Sequence, residues 1–301
     1  MDDQTKLKCS IGVMAYNEEK NIAKILTALL EQKLHRVSVE EIVVVSSGST
    51  DRTTDIVVDM CDVNPKLQLI TETERHGKAS AINLFIERAK SELMIIISAD
   101  TIPANDTVEK LITPFQNEKI GMTGGRPVPV NQTDTFMGFA SYLLWKLHHR
   151  MAKHTPKLGE MVAFRRMFTQ IPPDTAVDEA SIEALITQAG LSCLYVSDAL
   201  IWNKGPETLK DFIKQRKRIA IGHLWLKDKQ NYSVASSQIS LLINILLKEC
   251  FTSPKDIPKI LAVSLLEVYS RLLGSWEYSH HKTNPYIWET IPSTKDLGDD
   301  K

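Results

Sequence analysis

Ile42-Val43-Val44-Val45 runs without a polar residue into Ser46-Ser47-Gly48-Ser49-Thr50-Asp51, and that junction constrains the chain more than any other feature. A β-branched run of this kind is stiff at χ1 and suits a strand buried on both faces. The small polar residues after it make a turn, and a carboxylate at its end can open a helix. The same pattern occurs earlier, where Ile11 to Ala15 leads into Tyr16-Asn17-Glu18-Glu19, and later, where Leu93 to Ile97 leads into Ser98-Ala99-Asp100. Ligands of open α/β sheets bind outside the carboxyl ends of the strands, so three such clusters are expected to converge on one crevice.

Strand and helix signals alternate through the first half. Strands are expected at Ser10 to Ala15, Ile42 to Val45, Leu67 to Ile70 and Leu93 to Ile97, with helices near Glu18 to Glu31, Asp51 to Cys61, Gly77 to Ala89 and Asn105 to Gln116. This order predicts a Rossmann-like, mostly parallel sheet flanked by helices. After Gly121, Gly124-Gly125-Arg126-Pro127 and Pro129 read as irregular structure. Helices then follow at Phe136 to Lys153 and Asp178 to Ala189, and a strand at Ser192 to Val196. From Ser236 the chain reads as helical, with Pro254 and Pro258 separating two segments and a mobile tail from about Ser293. The expected division is an α/β domain over 1–230 and a helical C-terminal extension over 231–301.

Composition narrows the function. With a net charge of −1 the chain lacks the basic excess of a protein that grips nucleic-acid phosphates. Cys9, Cys61, Cys193 and Cys250 are far apart and form no CxxC pair, which points to reduced thiols in the cytoplasm and to no structural zinc. Met1 to Lys8 is polar and carries two aspartates, unlike a secretory signal, and the longest apolar-rich run, near Ile239 to Leu247, is too short to span a bilayer. No GxGxxG follows the first strand, and Gly77-Lys78 has Glu72 where a phosphate loop needs glycine.

What remains is an ordered set: the three strand-end clusters, His76-Gly77-Lys78 before a helix, Asp178-Glu179, and Gln215-Arg216-Lys217-Arg218. The set, spanning roughly Ser10 to His223, resembles the inverting family 2 glycosyltransferases, whose catalytic domain is the GT-A fold. The resemblance implies a hexosyltransferase-like enzyme of cell-envelope or glycan biosynthesis. Its donor would be a nucleotide diphosphate sugar, its acceptor a hydroxyl (lipid-linked, saccharide or small molecule), and its cofactor a divalent metal, Mg or Mn. Asp100 stands where family members carry the aspartate that holds the metal. An oxygen site of one or two carboxylates plus substrate phosphates suits either ion. Asn203 occupies a place where many relatives present a metal-binding histidine.

Tyr16, Asn17, Glu18, Ser47 and Ser98 correspond to the base and ribose side of the donor site, and Lys78, Arg216 and Arg218 to its phosphates. Lys78 also opens a helix, where anions are favoured. Gly159 and Glu160 match the acceptor-side segment. Three departures stand out: serines for the usual aspartates at Ser46 or Ser47 and at Ser98, and Ile219 for the tryptophan of QxxRW, which argues against polysaccharide synthesis through a channel. The acceptor's proton needs a carboxylate base. The family reads Glu-Asp where this chain reads Asp178-Glu179, so both stay open: side-chain length and identity favour Asp178, counting forward to Ile182 favours Glu179. The C-terminal segments Ile239 to Leu247 and Ile260 to Trp276 are amphipathic and suit packing on the catalytic domain or shallow peripheral membrane contact. A decayed GT-A scaffold that binds sugar nucleotides or glycans without turnover is the alternative class. A nucleotidyltransferase would need a glycine-rich Arg-Lys loop where Tyr16 to Glu19 stands.

Overall fold

The computed structural model describes residues 6–234, 239–281, 284–287 and 290–298; the first residues of the polar N-terminus, the start of the expected helical region at 236–238 and the last of the expected tail, 299–301, lie outside them. The three strand-end clusters stand side by side. Strands β1 (Leu7–Ala15), β2 (Val37–Ser47) and β4 (Leu93–Ser98) are parallel neighbours in the order β2-β1-β4, with β3 (Leu67–Glu72) parallel on the outer side of β2. All three clusters therefore emerge at one edge of the sheet.

Alternation along these strands builds the two layers. Ile11, Val13, Val44, Ile95 and Ile97 pack on one face against helices α1 (Ile22–Leu30), α2 (Thr53–Val63) and α4 (Thr107–Ile112). Met14, Val43, Val45 and Ile96 pack on the other against α3 (Lys78–Arg88) and α6 (Asp178–Gln188). Gly12 permits this: a Cβ there would lie 2.6 Å from the Phe85 ring, so α3 can approach only a bare backbone.

Beyond β4 the expected parallel pattern gives way to a mixed one. Strands β5 (Thr101–Pro103), β6 (Ile120–Pro129), β7 (Met161–Arg165) and β8 (Ser192–Asn203) complete an eight-stranded sheet among the described residues, in the order β3-β2-β1-β4-β7-β6-β8-β5. β7 is antiparallel to both neighbours and β5 to β8, while β6 and β8 run parallel. The stretch read as irregular at Gly124 to Pro129 is thus strand. Its glycines sit under Leu158 and Ile201, and the register shifts between Gly124 and Arg126, so they mark close packing and a bulge rather than a break. The first helix also begins later than the sequence suggests, at Ile22. Asn17 takes φ 52°, and the chain from Glu18 to Asn21 closes a turn after β1, the Asn21 N–H donating to the Glu18 carbonyl at 2.9 Å.

The remaining helices form a third layer. These are α5 (Phe136–Ala152), α7 (Leu209–Gln230), α8 (Ile239–Thr252) and α9 (Ile257–His281). Pro254 lies in the short 3-10 turn between the last two, whereas Pro258 sits in the first turn of α9, where its missing N–H costs nothing. Helix α7 has no counterpart among the elements expected from the sequence pattern. α9 is bolted to it by Glu267, which accepts from Arg216 Nε and Nη2 at 2.6 Å each and from Arg271 Nε at 2.6 Å, and by Lys217 and Glu277 at 2.6 Å.

This bolt sets an acid limit on stability. Burial would raise the Glu267 carboxyl, but the two arginines hold it down at about 2, against an ordinary 4.5. A carboxylate with a depressed folded-state pKa stabilises above its unfolded value, and that contribution drains away as pH falls from about 4.5 towards 2. Glu267→Gln is expected to cost on the order of 3 kcal/mol in urea unfolding at pH 7. The wild-type advantage should shrink as the titration is repeated at pH 4 and 3; an advantage independent of pH would show that packing, not charge, fastens α9.

The stretch expected to be a mobile tail instead packs on the sheet edge as far as residue 298. Lys295 Nζ donates to the Tyr16 carbonyl, to the Asn17 carbonyl at 3.0 Å and to Glu18 Oε1 at 2.5 Å, while Asn21 Nδ2 donates to the Lys295 carbonyl at 2.8 Å. Ile291, Thr294 and Leu297 are buried. Among the described residues, no helix is long and apolar enough to cross a membrane.

Candidate active site

The strand ends are stapled to one another before they face any ligand. Asn17 Oδ1 accepts from the Thr50 N–H at 2.8 Å, the Glu18 N–H donates to Thr53 Oγ1 at 2.7 Å, and Asp51 accepts from the N–H groups of Glu19 and Thr53 at 3.1 and 3.0 Å. Asp51 is thereby a structural carboxylate at the head of α2, held below its usual range by those bonds despite partial burial. Asn17 serves the same joint.

Against this edge lies a crevice of about 850 Å³. Of the residues singled out from the sequence, Tyr16, Glu18, Ser47, Lys78, Ser98, Asp100, Gly159, Glu160, Asp178, Glu179, Asn203, Arg216 and Arg218 all line it; Asn17 does not. Ser47 turns a buried hydroxyl with no partner into this region, a group whose desolvation only a ligand or water would offset.

Among the described residues, six carboxylates line the crevice: Glu18, Asp100, Glu160, Asp178 and Glu179, and, from α9, Glu267. Burial, reinforced by Asp100, pushes Glu18 up to about 7, with Lys295 pulling the other way. Burial, with Asp100 and Glu179, does the same to Glu160. Asp178 is also pushed up to about 7, chiefly by burial, and its Oδ1 is sealed without a partner. Glu179 differs. Burial opposes its charge, but Lys78 Nζ bonds its Oε1 at 2.6 Å and holds the carboxyl below its ordinary value. Lys78 in turn stays charged against burial because Glu179 and Asp178 (3.9 Å) face it. Arg218 is lowered to about 10 by burial, opposed by Asp178, Glu179, Asp100 and Glu160.

The two arginines of α7 part company. Arg216 lines the crevice, but its fork is committed to Glu267, so the expectation that it holds donor phosphates is not what the geometry offers. Arg218, two positions and about 200° further round the helix, is the one that faces the carboxylates. Arg165 and Arg166 reach backbone carbonyls at Phe115, Ile120 and Ala89, away from the site.

A cation site is testable on the side chains themselves. Asp100 lies in the turn between β4 and β5, and α4 starts only at Thr107, so there is no adjacent helix for it to cap. Its neighbour Thr101 pairs in register with Asn203 at the end of β8. Asn203 Nδ2 donates to Glu160 Oε1 at 3.2 Å, leaving Asn203 Oδ1 buried and without a partner. Glu160 is held at φ 62°, a strained conformation for a non-glycine residue. Hard oxygen donors crowded until some resist ionisation fit Mg²⁺ or Mn²⁺. No group of three His, Cys, Asp or Glu residues closes on an ion among the described residues, so a metal here would draw its remaining ligands from substrate oxygens and water.

Sequence reading missed the far wall. Lys295 sits on the Glu18 carboxylate, and Arg75 stacks over the Tyr16 ring at 4.0 Å. The Tyr286 carbonyl comes so near Gly77 that a Cβ there would lie 3.1 Å from it. A strap formed by 286–287 and 290–298 thus borders the crevice beside Tyr16, Glu18 and Gly77.

Two family models match the chain: glycosyl transferase family 2 over residues 10–171 and glycosyl transferase family group 2 over residues 93–288. The poly-beta-1,6-N-acetyl-D-glucosamine synthase of Staphylococcus aureus (strain COL) is 25% identical over 219 residues, 69% of this chain and 52% of that protein. The Staphylococcus epidermidis enzyme of the same name is 24% identical over 226 residues, covering 71% and 54%. The chain spans about half the length of these curated relatives. Among solved structures, the mannosyltransferase PcManGT from Pyrobaculum calidifontis in complex with GDP-Man and Mn²⁺ superposes with a TM-score of 0.62 at 23% identity, covering 93% of this chain and 82% of that one. Staphylococcus aureus TarS 1-349 in complex with UDP-GlcNAc gives 0.52 at 16% identity, covering 91% and 92%. These likenesses establish the GT-A fold.

Proposed function

The chain belongs to glycosyl transferase family 2, and from that premise we propose that its crevice transfers a sugar with inversion from a nucleotide diphosphate sugar to a hydroxyl acceptor. The observation that carries the reading is the meeting of Lys78, Arg218, Asp100 and the Asp178-Glu179 pair at one edge of the sheet. Tyr16, Ser47 and Ser98 border the nucleoside side. Lys78 and Arg218 supply fixed positive charge to the diphosphate, the role in which preorganised cations lower a barrier most. Asp100 and the orphaned Asn203 Oδ1 would hold Mg²⁺ or Mn²⁺, which when bound neutralises charge on the diphosphate.

We assign the base to Glu179. Its side chain is 19% exposed at the crevice, whereas that of Asp178 is 3% exposed. Lys78 keeps Glu179 ionised, as a proton acceptor must be. As the acceptor oxygen bonds the anomeric carbon, its proton passes to Glu179 and the bond to the diphosphate breaks, its electron pair leaving with the phosphate oxygen. Asp178 backs the pair and sets the field around Lys78. The apolar row exposed on α8 and α9 supports peripheral contact with a lipid surface.

The test is release of nucleoside diphosphate from a panel of UDP- and GDP-sugars, with and without Mn²⁺, alongside calorimetric binding. Metal-dependent release is the expected result. Binding without release would favour the non-catalytic scaffold, and binding of no nucleotide sugar would defeat both readings.

A further inference from the structure

The crevice does not end at the carboxylates. It continues into a cleft between α5, α8 and α9 walled by Leu144, Leu147, Leu242, Leu246 and Val263. A sugar nucleotide and a hydroxyl need no such wall. Lys157, Arg216 and Arg271 line the same crevice, so it holds positive charge as well as carboxylates and an apolar wall. The acids that face Lys157 are already occupied: Glu267 serves both arginines at 2.6 Å, and Glu183 accepts the Tyr232 hydroxyl at 2.6 Å. Burial, then Arg216 and Arg271, push the Lys157 ammonium down to about 7. The same surroundings hold His148 and His223 neutral, since burial and nearby cations keep both well below their usual value. Buried positive charge in excess of its anions is costly unless a ligand brings the balance.

The outer surface around this cleft is apolar. On α8, Ile243, Leu247 and Phe251 are exposed at four-residue spacing, and on α9 so are Leu261, Leu265, Leu272 and Trp276. Exposed apolar patches of this extent mark places where an apolar phase or partner arrives. An apolar wall, cations and carboxylates in one crevice suit a ligand that carries an apolar chain, an anionic group and a hydroxyl.

We propose that the acceptor is an anionic amphiphile, its single apolar chain lying between α5, α8 and α9 and its phosphate- or carboxylate-bearing headgroup held at Lys157, with Arg271 beside it. The headgroup's hydroxyl then faces Glu179, loses its proton to that carboxylate, and forms the new bond to the anomeric carbon as the sugar's bond to the diphosphate breaks. This rests on the glycosyl-transfer reading and names its acceptor class.

Lauroyl lysophosphatidylglycerol, which has one chain, one phosphate and free hydroxyls, is the probe, used below its micellar concentration in calorimetry with the whole chain. Dodecyl maltoside supplies a chain with a neutral hydroxylated head, and glycerol 3-phosphate a head without a chain. Binding of the lysolipid at least tenfold tighter than either is expected. Lys157→Gln should remove most of that margin and leave dodecyl maltoside unchanged, and Ser264→Phe, which fills the cleft, should weaken both chain-bearing probes in a protein of unaltered melting temperature. Equal binding of dodecyl maltoside would reveal a detergent site only. Equal binding of glycerol 3-phosphate would reveal a free-anion site, and binding of none would remove the cleft as a site; each overturns the proposal. Nucleotide-sugar binding measured in the same samples separates the two readings: if it fails while the lysolipid binds, glycosyl transfer falls and the amphiphile site stands without its acceptor role.

Discussion

Asp100→Ala is expected to lower sugar transfer by about a thousandfold while leaving the melting temperature within a few degrees of the parent. Asp100 lies in a turn with no helix to cap, beside Glu18 and Glu160, whose carboxyls it pushes up, so its placement serves a purpose other than local stability. Loss of metal-assisted charge stabilisation at a diphosphate amounts to several kcal/mol, and each 1.4 kcal/mol is about tenfold in rate. The test does not depend on turnover alone. Calorimetric titration with Mn²⁺ in the presence of a nucleoside diphosphate should show saturable binding to the parent and at least tenfold weaker binding to the variant. Asp100→Asn keeps a polar group in the turn but not the charge, and should behave almost as badly. An asparagine variant with near-normal activity and metal affinity would move the cation elsewhere.

Glu179→Gln is the second large effect. General-base catalysis contributes about a hundred- to ten-thousandfold, so a loss near a thousandfold in kcat is expected with donor affinity little changed. Asp178→Asn should cost tenfold or less, because the carboxyl it replaces is only 3% exposed and, pushed up to about 7 by burial, already spends part of its time neutral near neutral pH. Steady-state rates of the two variants at saturating donor decide the matter. If the asparagine variant is the dead one and the glutamine variant survives, the roles of the two residues exchange.

How much is legible in the sequence follows from where the stabilising partners lie. Val37 to Glu41, with its polar residues, does not read as part of β2, whereas strand β4 and the C-terminal halves of β1 and β2 are readable because they are buried on both faces and so read as unbroken apolar runs. β6 is not: Gly124, Gly125, Pro127 and Pro129 are break signals when read locally, and only the side chains of Leu158 and Ile201, brought in from elsewhere, turn those glycines into room for packing. The site shows the same division. Glu18, Lys78, Asp100 and the Asp178-Glu179 pair sit in short motifs at element ends, where residue type and position imply chemistry together. Arg216 belongs to such a motif, yet a carboxylate 51 positions later claims its guanidinium. Asp51 reads equally well as a ligand contact or a helix cap and Asn17 reads as a donor contact; their bonds to Thr53 and Thr50 make both part of the joint between strand ends.

The Glu18–Lys295 contact joins residues 277 positions apart, and it ties the charge balance of the donor end to the order in which the chain is made. The sheet edge that carries Glu18, Asp100 and their neighbours is complete once β8 has been synthesised, and domains of this kind begin to fold from the N-terminal side as they emerge. In the folded chain Lys295 offsets the push that burial and Asp100 exert on Glu18, so this ammonium, supplied last, carries the local charge balance. Removing that one ammonium by Lys295→Met is expected to leave the Glu18 edge with an unopposed acid and to raise the pH at which its charge is lost.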